Sequence, residues 1–415
     1  MTPHRARTIH LCYLGVREPL VQTQVLPYLR AVAASGVEVT LLTFEPRHPA
    51  WAPGELAGTA RALAAAGIAW HRRRYHKRPS VPATAVDVAV GALFVRRASG
   101  RAPVDVLHAR GHVPALMAAL GARSRQRLLF DVRGLLAEEY VDAGVWRPGG
   151  AVVRTVRAVE RWLLRRADAA VVLTGRARDL LTERLSHRPG GPPPIEVIPC
   201  CVDLGAFPLP AASATAAAKR RLGVDGRPVA LYVGSTTGAY RTGELVDFVL
   251  ALREAEPDLF LLVLTQRGVG RVADLLAGRG LGAADCAVRA VRPAEVAAHA
   301  AAADVGLCFV EPTYAKLASS PTKVAEYLAC GLPVVATAGV GDLDAQIAAA
   351  HVGVLVRDHD RAGHRRAVAD LRDLLADPGL PGRCRATARA LFDLETVGGP
   401  RYAALYDRLL AAVPR

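Results

Sequence analysis

Apolar positions along the chain fall in short blocks separated by longer amphipathic stretches. Ile9-His-Leu-Cys-Tyr-Leu-Gly15 is one block closed by glycine; helical periodicity follows over 21–35, Gly36 stops it, and 37–44 is the next block. Strand, helix and strand in that order predict a βαβ opening, its helix starting at the carboxyl end of the first strand. Residues 104–108, 127–132, 169–174 and 195–199 read as further strands, with helices over 113–120 and 154–166. Between Gly205 and Arg227 the pattern breaks: Pro208, Pro210 and an Ala/Ser/Thr stretch lead into a short basic helix ending at Leu222-Gly223. It then restarts with Pro228-Val-Ala-Leu-Tyr-Val-Gly234, and strands follow over 260–265, 286–290, 305–310, 333–337 and 353–356. Ala167-Asp168 and Ala303-Asp304 precede matching strands in the two halves. Short apolar strands alternating with helices predict parallel sheets covered on both faces.

The economical architecture is α/β, with two Rossmann-like, doubly wound parallel-sheet domains facing a cleft. The expected division is 1–205, a connection over 206–228, a second domain over 229–385, and a closing segment over 386–415, with its helices read over 383–391 and 401–413. These helices are expected to pack back on the first domain.

Composition narrows the class. The chain has 415 residues, of which 51% are apolar, ample for two cores and against disorder. No uncharged apolar run reaches the roughly 18 residues of a membrane span. The longest candidate, 85–95, contains Asp87 and runs into Arg96-Arg97. The basic N-terminus leads into a block too short for a signal segment, so a cytoplasmic protein is expected. Seven cysteines (Cys12, Cys200, Cys201, Cys286, Cys308, Cys330, Cys384) show no paired metal spacing and read as buried free thiols.

Charge is unevenly placed. Residues 1–205 carry 29 Arg/Lys against 16 Asp/Glu, while 206–415 carry 24 against 22. The excess is N-terminal, densest in His71-Arg-Arg-Arg-Tyr-His-Lys-Arg78, with Arg157, Arg161 and Arg165 sharing a helical face. Two readings stand: a solvated face, or a surface for an anionic acceptor or anionic lipid headgroups on the inner membrane face. Nucleic acid is disfavoured, because aromatics do not interleave with the arginines.

One segment carries chemistry: Ser319-Ser-Pro-Thr-Lys-Val-Ala-Glu-Tyr-Leu-Ala-Cys-Gly-Leu-Pro333. Ser320 reads as an N-cap and Pro321 as the first helical residue, with Gly331 and Pro333 ending the helix. A helix start with hydroxyls at Ser320 and Thr322 and the ammonium of Lys323 suits a phosphate. Lys323 is one of only four lysines, with Lys77, Lys219 and Lys316. Glu326, one turn on, suits vicinal hydroxyls such as a ribose presents. An ordinary capped helix is the competing reading.

This segment resembles the donor-binding helix of GT-B glycosyltransferases of the retaining family 4 type. The likeness extends along nearly the whole chain. Ile195-Glu-Val-Ile-Pro-Cys-Cys-Val-Asp203 resembles the end of that family's first domain, and Leu231-Tyr-Val-Gly234 the opening of its second. It is closest to a subgroup with His-Ala-Arg, Phe-Asp-x-Arg-Gly and Pro-Thr-Lys-x-x-Glu-Tyr. Here these read His108-Ala-Arg110, Phe130-Asp-Val-Arg-Gly134 and Pro321-Thr-Lys-Val-Ala-Glu-Tyr327.

The resemblance implies a GT-B fold and transfer of a sugar from a nucleotide-diphosphate sugar to an acceptor hydroxyl, with retention. The N-terminal domain would receive the acceptor, which is anionic, lipid-linked or a small natural product. The C-terminal domain would hold the donor, with Glu326 on the ribose and Ser320, Pro321, Thr322 and Lys323 at the diphosphate. No cofactor beyond this co-substrate and no metal would be required. The family's contact to the transferred sugar would fall to His108, Arg110 or His112, with Asp131 and Arg133 orienting the acceptor hydroxyl or pairing with each other. Glu138 or Glu139 would suit a cationic acceptor. Departures from the pattern are equally clear. Ala318 stands where the first of two glutamates is usual, Ser235 replaces an arginine, and Tyr240-Arg241 replaces a lysine, leaving Arg241 as the candidate cation. Gly15-Val-Arg17 stands where the family has a Gly-Gly loop. Two further readings are a nucleotide-sugar epimerase of the same shape and a non-catalytic basic protein that docks on membranes or polyanions.

Overall fold

The structure, a computed structural model, describes residues 5–76, 78–186 and 191–411. Lys77 of the basic run and the end of the last expected helix, including Val413, lie outside them. The chain divides into two compact units. One is Met1–Pro199 with Gly398–Arg415, and the other is Cys200–Val397.

In the first unit the strands are β1 (Arg7–Cys12), β2 (Glu38–Glu45), β3 (Ile68–Arg74), β4 (Val106–Arg110), β5 (Arg127–Asp131), β6 (Ala169–Val172) and β7 (Ile195–Val197). They form one sheet in the order β3-β2-β1-β4-β5-β6-β7. The second unit holds β8 (Val229–Val233), β9 (Phe260–Leu264), β10 (Cys286–Arg289), β11 (Val305–Cys308), β12 (Val334–Thr337) and β13 (Gly353–Val356), ordered β10-β9-β8-β11-β12-β13. Every pairing in both sheets is parallel. Both sheets reverse order beside their first strand, the topology that opens a binding crevice at the carboxyl ends.

The repeated Ala-Asp pairs have a shared structural task. The Asp168 N–H donates to the Leu128 carbonyl (2.9 Å), while the Leu128 N–H donates to Asp168 Oδ2 (2.8 Å). Asp304 makes the same reciprocal pair with Val229, at 2.8 and 2.7 Å. Asp105 does so with Arg7, at 2.9 and 2.8 Å. Each carboxylate satisfies an N–H at the start of a neighbouring strand and so fixes its register.

The structure adds detail at three places. The helix over 21–35 is two, Pro19–Gln24 and Leu26–Ala34, broken at Val25 because Pro27 has no N–H for the Thr23 carbonyl and its ring crowds that carbonyl. The basic run over 71–78 begins inside edge strand β3, its apolar alternation hidden by arginines that an edge tolerates. The segment 206–228 falls within the second unit. Its helix Ala212–Leu222, closed by left-handed Gly223 as expected, anchors through Lys219 Nζ to Asp304 Oδ2 at 2.8 Å. Of the closing helices, Leu380–Phe392 lies in the second unit and Gly399–Ala411 in the first.

Candidate functional site

In the second unit the helix Thr322–Ala329 packs against β11 and β12, its first turn at their carboxyl ends. Its seating depends on one close approach. Tyr327 lies over Gly306 of β11, where a Cβ would come within 2.2 Å of the ring. The Tyr327 hydroxyl donates to the Leu307 carbonyl (3.2 Å) and accepts from the Val233 N–H (2.8 Å).

The helix start differs from the expected capping. Pro321 occupies the cap position with extended φ/ψ, no side chain caps the first turn, and helix begins at Thr322. Ser320 is not the N-cap, because its Oγ accepts the Cys200 N–H at 3.2 Å. The first-turn N–H groups therefore carry the positive end of the helix dipole with no side-chain acceptor over them.

Lys323 is only 6% exposed, and among the described residues its Nζ has no hydrogen-bond partner. It lies over the faces of Tyr232 (4.0 Å) and Tyr240 (4.4 Å). Gly234, at φ +120°, leaves the room: a Cβ there would sit 3.3 Å from Nζ. Burial pulls the Lys323 pKa down to about 8. Burial likewise pushes Glu326, half-buried one turn on, up to about 7, against the opposing pull of Lys323. The hydroxyls of Thr236, Thr313 and Thr337 are also buried without a partner among the described residues. They follow β8, follow β11 and end β12, so all belong to the carboxyl side of this sheet.

Arg241 is a different case. Its guanidinium already meets Glu244 (2.9 Å) and Glu311 (2.8 Å), so its charge is answered within the protein. The neighbouring Tyr240, not Arg241, reaches Lys323.

In the first unit the catalytic candidates meet at one carboxylate. Asp131, buried at the end of β5, faces Arg110 Nη1 (3.3 Å) and Arg133 Nη1 (3.4 Å). Burial would raise its pKa, but Arg133 and Arg110 outweigh it and hold the carboxyl below the ordinary value. His108 is fully enclosed rather than open to substrate. Its Nδ1 lies 3.0 Å from Tyr406 Oη, its ring meets His10 edge-on (4.3 Å) and Tyr402 (5.4 Å), and burial lowers its pKa to about 4. The Gly399–Ala411 helix supplies both tyrosines, and Tyr406 Oη also meets Thr8 Oγ1 at 3.1 Å. His108 is mid-strand packing; Arg110, at the end of β4, stands closer to the rim.

His112 and Glu138 are committed elsewhere. His112 Nε2 lies 2.8 Å from Glu160, and Glu138 takes Arg157 (3.2 Å) and Arg184 (3.0 Å). Gly15 is required by packing: a Cβ would meet Glu45 Oε2 at 2.7 Å, the carboxylate that accepts the Val16 N–H. Among the described residues no group of three or more His, Cys, Asp or Glu is placed to hold a metal.

Sequence and fold comparisons give a domain resemblance and the fold. A glycosyl transferase 4-like domain model matches residues 21–201. The fold of the whole chain is GT-B, shared with sucrose-phosphate synthase from Thermosynechococcus elongatus (TM-score 0.71, 19% identity, covering 98% of this chain and 100% of that one). A glycosyltransferase from Rickettsia africae superposes with TM-score 0.73 at 14% identity, over 98% and 99% of the two chains. Anabaena HepE, solved in complex with UDP-glucose, gives TM-score 0.69 at 15% identity, over 97% and 99%. Compared with curated protein sequences, the chain matches none.

Proposed function

We propose that the chain is a nucleotide-sugar-dependent glycosyltransferase whose second unit binds the donor. The observation that carries this reading is the buried Lys323 ammonium, unpartnered at an uncapped helix start. A buried ammonium without a hydrogen-bond partner costs stability, so its retention points to an anion from outside the protein. A diphosphate there receives the helix N–H groups and the ammonium, and Glu326 accepts from ribose hydroxyls. HepE, whose fold this chain shares, binds UDP-glucose.

As the sugar departs, charge grows on the diphosphate, and fixed N–H dipoles with a cation stabilise it without a metal. We read the transfer as hexosyl, front-side and retaining, with the departing phosphate helping to deprotonate the acceptor. Arg110, Asp131 and Arg133 are the first unit's candidates for orienting that acceptor, and their excess positive charge favours an anionic one. The seven free thiols suit a reducing cytoplasmic setting, with the chain peripheral on the membrane.

A melting-temperature panel of nucleoside diphosphates and their sugars tests the reading. One nucleotide should stabilise the wild type, and Lys323→Ala and Glu326→Ala should each lose that stabilisation. No stabilisation by any nucleotide, or stabilisation that survives both substitutions, would refute it.

A further inference from the structure

The helix Ser80–Arg101 fills the connection between β3 and β4 and lies beside the helix His112–Gly121. Its outward stripe runs Pro82, Val86, Ala89, Leu93, Arg96 and Gly100, a spacing of four and three that keeps one face to solvent. That stripe is apolar for three turns and then cationic. Val86 is 51% exposed and Leu93 45%, with Val81 at 72% near the helix start and Leu120 of the adjacent helix at 55%. No helix among the described residues is long and apolar enough to cross a membrane.

Arginines border these side chains. Arg96, Arg97 and Arg101 close the helix, and Arg123 joins them by donating to the Arg96 carbonyl at 3.3 Å. Arg125 follows, and Arg73 of β3 lies over Phe94 at 5.2 Å. Among the described residues none of these six guanidiniums forms an ion pair, whereas Arg7, Arg17, Arg110, Arg127, Arg133 and Arg157 of the same unit do. The reason lies in the sequence: from 79 to 126 the only carboxylates are Asp87 and Asp105, both buried. Asp87 is held by Tyr13 (2.7 Å) and His76 (2.5 Å). The exposed side therefore presents positive charge that no acid within 79–126 compensates.

We propose that this face docks on an anionic lipid bilayer. Valine and leucine enter the headgroup boundary, while the arginines remain at headgroup level and meet lipid phosphates. A nucleic acid would find no exposed stacking rings here, since Phe94 is covered by Arg73 and His71. The proposal deepens the peripheral placement given above and makes the acceptor a molecule at or in the membrane.

Co-sedimentation of the full chain with phosphatidylcholine vesicles, with and without one quarter phosphatidylglycerol, tests it. Binding should require phosphatidylglycerol and weaken with salt. Arg96→Gln with Arg97→Gln should lower partitioning about tenfold or more, given roughly fivefold per headgroup-level cation. Val86→Asp with Leu93→Asp should lower it comparably without removing a cation. A third variant, Arg161→Gln with Arg165→Gln and Arg166→Gln, removes more charge from the helix Ala151–Arg166 and should bind nearly as the wild type does. All three should keep the nucleotide-induced melting shift, so failure here is separable from failure of the donor reading. The proposal is overturned by binding equal on neutral and anionic vesicles, by no binding, or by losses that follow total charge rather than position.

Discussion

Replacing Lys323 by methionine keeps its length and removes its charge. A pKa lowered from 10.5 to about 8 corresponds to about 3 kcal/mol against holding the charge in the fold. The two tyrosine faces offset roughly 1 to 2 kcal/mol of this, as desolvated cation–π contacts do. Without ligand, Lys323→Met should therefore be more stable than the wild type by about 1 to 2 kcal/mol at pH 7. Because the folded-state pKa is depressed, this cost to the wild type is fully present below about pH 8 and disappears as the pH rises from there through 10.5. The advantage of the variant should fade over that window. Nucleoside diphosphate binding should move the other way, losing about 30- to 150-fold for the 2 to 3 kcal/mol of charge-assisted hydrogen bonding to phosphate. Denaturant unfolding and calorimetric titration measure the two quantities. A variant that is less stable yet binds nucleotide normally would refute the reasoning, because Lys323 would then be packing and not a ligand.

Two further outcomes follow from the same geometry. Nucleotide affinity should fall by up to tenfold per pH unit above about 8, since the anion must draw a proton onto Lys323; a flat profile from pH 7 to 9.5, or the same decline in Lys323→Met, contradicts this. Asp131→Asn leaves two facing guanidiniums without their carboxylate and should destabilise the fold by about 3 to 5 kcal/mol. Denaturation midpoints report that loss, and a variant as stable as the wild type would show that the cluster is not held by charge.

Much of this molecule is legible in its residues, for reasons that differ by element. Strands of parallel sheets are apolar on both faces, so β1, β8, β9 and β12 stand out as blocks. Edge strand β3 does not, because one side faces solvent and its arginines mask the alternation. Lys323 and Glu326 are legible because helix starts have chemical signatures, but the cap is not: the Ser320 hydroxyl is claimed by Cys200, 120 residues away. The tyrosine pair around Lys323 is hidden for the same reason, although a tyrosine just before strand-closing Gly234 was a usable signal. The burial of His108 is not visible in its motif. The residue sits in a matching triplet, yet its position in mid-strand places it beneath tyrosines from the chain's far end.

The central claim is that a nucleotide sugar binds at the carboxyl side of the second unit's sheet. Amide hydrogen exchange of the full chain, with and without the nucleotide sugar giving the largest melting shift, locates it directly. Protection is predicted in peptides spanning 234–241 and 319–328, and it should vanish in Lys323→Met. Protection confined to other segments, with these two unchanged, would contradict the account.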